Sequence, residues 1–131
     1  MSGERQIAWP GVAVAVAGAS AVLLGALGAH ALRGEIPAAM LDVWQTAVRF
    51  QIWHALALGL AAFVARRSHA GHLAAILFTL GIVLFCGSLY ALALGAPRMV
   101  GMVTPLGGIA LVAGWSALGV ALYKLNSRSN P

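Results

Sequence analysis

Charge is what this sequence has least of. Asp, Glu, Lys and Arg make up 8% of its 131 residues, against roughly a quarter in an ordinary soluble domain. Eight basic and three acidic side chains cannot cover the surface of a soluble fold of this length. Carboxylates are scarcest, at Glu4, Glu35 and Asp42. None falls inside a long apolar run, which argues against paired-carboxylate catalysis and carboxylate proton relays. The single cysteine, Cys86, excludes an internal disulfide and a Cys-based zinc site, and reads as a weakly polar core residue. The chain also lacks a Gly-rich phosphate loop behind a strand, an H-E-x-x-H pair and any visible nucleophile-and-base set.

What is present is hydrophobic: 61% of the residues. Lipid removes the need for a polar exterior, so this composition implies an all-α integral membrane protein. Charges divide the chain into four apolar windows, Gln6 to Leu32, Phe50 to Ala65, Ser68 to Pro97 and Met99 to Tyr123. About 20 apolar residues cross a bilayer as a helix, and an isolated strand would leave its backbone unpaired there. The sequence therefore predicts one four-span membrane domain over residues 1–131, a compact antiparallel bundle. The expected spans lie at about 9–32, 48–65, 72–94 and 100–123. Pro37 suits a first helical position, so an amphipathic lead-in over 37–48 should run unbroken into the second span. Residues 124–131 read as a polar, frayed tail. The N-terminus resembles a signal peptide ending at Ala29-His30-Ala31, but its apolar stretch is long and reads as a retained span.

The net charge of +5 comes from scattered basic residues, which read as topology signals and not as a nucleic-acid surface. Arg5, Arg66, Arg67, Lys124 and Arg128 fall on one side, against Arg33, Arg98 and Arg49 on the other. That excess places both termini in the cytoplasm. Small residues recur at helix-face spacing: Gly18, Ala21, Gly25 and Gly28; Gly81, Ser88, Ala91 and Gly95; and Gly107, Ala110, Gly114, Ala117 and Ala121. In lipid such stripes let backbones approach closely, so they are the expected helix contacts.

The candidate site comes from placing polar side chains by depth. His30, Arg49, Gln51, His54, Ser88, Tyr90 and Thr104 all fall toward the outer half on this topology. Polar groups in a membrane are costly and mark function. They are expected either to converge on an outward-opening pocket or to act separately, His30 and Arg49 reaching the headgroups and Gln51 and His54 tying helices together. Two further arrangements are conceivable: His30 and His54 ligating a b-type haem, and His69 with His72 holding a metal. The second lacks a third ligand and reads as a loop end.

The segments Gly25-Ala26-Leu27-Gly28-Ala29-His30-Ala31-Leu32 and Trp44 to Leu58, which includes Arg49-Phe50-Gln51-Ile52-Trp53-His54, resemble the domain of unknown function 423 family. Its members are small YgdD-like bacterial inner-membrane proteins. Phe85-Cys86-Gly87-Ser88-Leu89-Tyr90, Thr104-Pro105-Leu106-Gly107-Gly108 and Gly114-Trp115 follow in the same order, with Cys86 where family members commonly carry Ser. The resemblance spans about Gly18 to Tyr123. It implies a four-span fold and a multi-pass inner-membrane location, and no activity.

The resulting expectation is a non-enzymatic protein without a cofactor, acting as an accessory subunit or assembly partner of another membrane protein or of itself. Trp44 and Arg49 on the lead-in would engage that partner or headgroups. The alternative is binding or transport of a small solute, lipid or quinone by the polar cluster, with Pro105 the one place for a broken helix.

Overall fold

The computed structural model describes residues 8–129. Arg5, which contributed to the orientation count, lies outside the described residues, as does the end of the tail. Five α-helices make up four spans: α1 (Trp9–His30), α2 (Ala38–Ala65), α3 (His69–Gly81) continued by α4 (Gly87–Ala93), and α5 (Val103–Arg128). All four are long and apolar enough to cross a membrane, and large apolar side chains such as Leu23, Leu56 and Phe63 stand more than 70% exposed on the outside. That inversion of a soluble surface is what a lipid solvent allows.

Helix boundaries follow from local chemistry. α1 carries Pro10 in its first turn, where the missing N–H has no intrahelical partner anyway. It ends in a turn through Gly34, whose φ of 85° suits a residue without Cβ. Pro37 caps α2, and the lead-in and second span form one 28-residue helix, about 42 Å long at 1.5 Å per residue. α3 begins earlier than the sequence suggested, at His69, because Ser68 caps it by accepting a hydrogen bond from the Gly71 N–H. The His69-Ala70-Gly71-His72 segment is thus a first helical turn and not a loop end. Gly71 is required there: a Cβ would stand 2.8 Å from the Ala65 nitrogen. α5 runs through Lys124 to Arg128, so the polar segment expected to fray is helical that far.

The third span is not a uniform α-helix. Ile82–Cys86 form a π-helical turn, in which the Gly87 N–H reaches the Ile82 carbonyl five residues back. The interruption expected near Pro105 is absent, because Pro105 sits in the first turn of α5, where its missing donor costs no intrahelical bond. A 3₁₀ turn over Arg98–Met102 leads into α5.

α1 packs on α2, α2 on α3 and α4, and α3 with the π turn on α5; α2 and α5 barely touch. The core therefore lies around α2 and α3, with Phe78, Leu58, Ala61, Ala74 and Ala75 sealed. Small residues do carry these contacts, but not always those in the expected stripes. Gly107 lies under the Phe85 backbone and Gly114 under the Phe78 ring, where a Cβ would come within 2.8 Å of a ring carbon. Gly28 seats the Trp44 indole. By contrast, a Cβ on Gly18 would meet nothing within 4 Å, because α1 docks through Ala17, Ala21 and Gly28. Gly95 is no packing residue either. Its φ of 96° ends α4, with the Ala96 N–H bonded to the Ala91 carbonyl.

Candidate functional site

The structure does not gather the seven polar candidates into one cluster. His30 and Arg49 are exposed, and the Arg49 Nε donates only to the Gln45 carbonyl of its own helix, at 3.4 Å. The other five divide into two hydrogen-bonded pairs and one separate histidine.

Gln51 is the centre of the first group. It is 4% exposed, and its Nε2 donates to the Ala17 carbonyl at 2.9 Å and to the Ser20 hydroxyl at 2.7 Å, both on α1. Its Oε1 accepts from the Tyr90 hydroxyl on α4 at 2.7 Å. One amide thus joins three helices, its orientation assigned from its partners. The Trp44 indole packs edge-on against Tyr90 and donates to the Leu24 carbonyl at 2.9 Å. Trp44 is 2% exposed, so it serves helix packing and not the external contact expected of it. The second pair is Ser88 with Thr104, whose hydroxyls lie 2.6 Å apart and join α4 to α5. Residues two apart on a helix do not share a face. Ser88 therefore turns to α5 while Tyr90 turns to α2, and the two pairs stay separate.

Depth also differs from simple counting along α2. Gln51 is level with Ala17 and Ser20, near the middle of α1, and not with its His30 end. Ser20, which was not among the seven candidates, is a partner of Gln51. Its signal was available as the one hydroxyl in the first span from Trp9 to His30.

His54, one turn beyond Gln51, faces elsewhere. Its ring lies 5.7 Å from Phe50, 6.0 Å from Phe78 and 6.0 Å from Trp115, centroid to centroid. Its Nδ1 is bonded to the Phe50 carbonyl at 2.6 Å. A carbonyl only accepts, so Nδ1 carries a proton. His54 lines an open groove of about 590 Å³ between α2 and α5, with Phe50, Pro105, Gly108, Val112 and Trp115 among its walls. The aromatic residues of this groove were not singled out from sequence, since Phe and Trp in an apolar run carry no signal of facing a cleft. A shared haem between His30 and His54 does not fit: Trp44 is level with Leu24 and Gly28 near the His30 end, and His54 is about 15 Å further along α2. Among the described residues, no three potential metal-ligating side chains come together.

A fold with four apolar spans, carrying these motifs in this order, can be compared with known sequences. Residues 24–108 match the family described as Protein of unknown function (DUF423). The chain belongs to that family. Its relatives include the UPF0382 membrane protein YwdK of Bacillus subtilis (strain 168), 46% identical over 107 residues that cover 79% of this chain and 87% of the relative. The UPF0382 inner membrane protein YgdD of Escherichia coli (strain K12) is 40% identical over 116 residues, covering 87% and 88%. The UPF0382 membrane protein SH2409 of Staphylococcus haemolyticus (strain JCSC1435) is 39% identical over 101 residues, covering 76% and 83%. No solved structure matches. This DUF423 chain is an all-α membrane protein with four membrane-spanning helices. The part that matches the DUF423 family holds all seven polar candidates, whereas Ala17 and Ser20, the α1 partners of Gln51, precede it.

Proposed function

We propose that this protein is a non-enzymatic inner-membrane component that acts by associating with another membrane protein or with a second copy of itself. The observation that carries this reading is the position of α1. Only 17% of its membrane window is buried, the lowest of the four spans. Its free face carries Gly11, Ala15 and Ala19 one helical turn apart, all exposed, and a Cβ on Gly11 would meet nothing within 4 Å. Such a face permits close backbone approach by a further helix. The polar side chains give the reading negative support. Gln51, Tyr90, Ser88 and Thr104 bond to one another or to backbone, so they offer no set of groups for chemistry.

The orientation proposed with it puts both termini in the cytoplasm. Arg66, Arg67, Lys124 and Arg128 share one end of the bundle, against Arg33, Arg49 and Arg98 at the other, and cytoplasmic loops carry the excess of Lys and Arg. At that basic end, Arg67, Lys124 and Arg128 line a shallow cleft suited to contact with anionic headgroups.

The test is mild extraction followed by crosslinking through Ala15→Cys. A stoichiometric crosslinked neighbour is expected, lost in Ala19→Leu with helicity unchanged. A protein that stays monomeric and alone, or a crosslink indifferent to Ala19→Leu, ends the proposal.

A further inference from the structure

His54 is the one buried candidate with a ring nitrogen left unbonded. It is 5% exposed and sits sixteen residues from Ala38 and eleven from Ala65, about 24 and 17 Å along α2. In a hydrocarbon layer about 30 Å thick, that places it near the midplane. Its Nδ1–H is held by the Phe50 carbonyl, so in the neutral ring Nε2 is a lone-pair acceptor. No group of the described residues bonds to Nε2. Among the described residues, no sealed side-chain nitrogen or oxygen lacks a hydrogen-bond partner, so the unbonded Nε2 keeps some exposure, and the groove is the open space that His54 lines.

We propose that the groove between α2 and α5 binds a membrane-dissolved apolar molecule bearing a hydroxyl group, an alcohol or phenol, which donates its hydrogen bond to the His54 Nε2. The rest of the wall fits the apolar body: Phe50 and Trp115 flank the imidazole, and Ile109 and Val112 open toward lipid at 67% and 68% exposure. Its volume of about 590 Å³ lies in the usual range for small-molecule sites. Other occupants match it less well. An acyl chain fills the space and leaves the acceptor bare, at the depth where bare polar groups cost most. An anionic headgroup has no cation to meet among the lining residues. This site is separate from the free face of α1, and its fate does not depend on the association proposed above.

The experiment uses the full chain, with histidine labelled with nitrogen-15, in phosphatidylcholine nanodiscs. Nonylphenol and its methyl ether are the probes, alike in body and different in the donor. Nonylphenol is expected to shift one Nε2 resonance saturably, the one missing in His54→Phe, and to bind about tenfold more tightly than the ether, the worth of one well-made hydrogen bond. His54→Phe should erase that preference. Gly108→Leu is the second variant, because a Cβ there stands an ordinary 3.8 Å from the Phe85 ring while the added side chain enters the groove. It should weaken nonylphenol binding by about tenfold with His54 intact. Equal binding of phenol and ether, an unmoved His54 resonance, or indifference to Gly108→Leu overturns the proposal. So does a disulfide between copies through Val112→Cys, which would show a second chain covering the groove.

Discussion

Gln51 and His54 lie three residues apart on one helix, both more than nine-tenths buried, yet they do opposite things. Gln51 spends both amide hydrogens and its carbonyl on α1 and α4. His54 spends one nitrogen on its own helix and turns the other to a groove. The difference lies in what stands opposite. Where α2 meets two helices, a polar side chain becomes a joint. Where α2 and α5 draw apart, it becomes a free acceptor. Burial alone does not distinguish a joint from a site; the fate of each lone pair and each hydrogen does.

The comparison can be broken at several points. The frame that holds both residues is the seam between the third span and α5, so Gly107→Leu is expected to have the largest effect. Its side chain would collide with the Phe85 backbone, a cost of about 3 kcal/mol, measured as the loss of helicity on SDS titration in detergent. If Gly107→Leu is as stable as the parent, the seam is looser than its geometry. Next comes Gln51→Leu, which strands the Tyr90 hydroxyl while Ser20 keeps its bond to the Ala17 carbonyl, and should cost about 2 kcal/mol. In the Gln51→Leu background, Tyr90→Phe should cost about 1 kcal/mol less than it does alone, because the bond is already gone. His54→Phe should cost under about 1 kcal/mol, since ring volume is kept and no bond between helices is lost. A loss as large as that of Gln51→Leu would make His54 a joint after all. Smallest is Gly18→Ala, expected to change stability by no more than about 0.5 kcal/mol, because nothing faces the new methyl.

The spans were legible because hydropathy and the bilayer's thickness act over twenty residues at once. Pro37 marked the start of α2 to within one residue, because its ring permits a helix only forward of itself. The phase of α1 was legible over most of its length, since Ala21, Gly25 and Gly28 of the expected stripe all face α2. Only Gly18 falls off it, because small residues occupy both faces there and spacing alone could not tell it from Ala17, which docks. The π turn at Ile82–Cys86 has no sequence signature, since any run of apolar residues can hold the longer bond. The polar candidates were placed by an incomplete ruler. Counting inward from Arg49 ignored how α1 slides against α2, a register set by the bonds from Gln51 to Ala17 and Ser20 and from Trp44 to Leu24.

The peripheral seat of α1 matters most to Gln51. α2, the third span and α5 share the core, whereas α1 adds its contacts from one side. Two of the three hydrogen bonds of Gln51 therefore exist only after α1 has docked. Until then a bare amide faces lipid, and water is not there to relieve it. Docking of α1 is what satisfies that amide, and Gln51 is the latch that holds it.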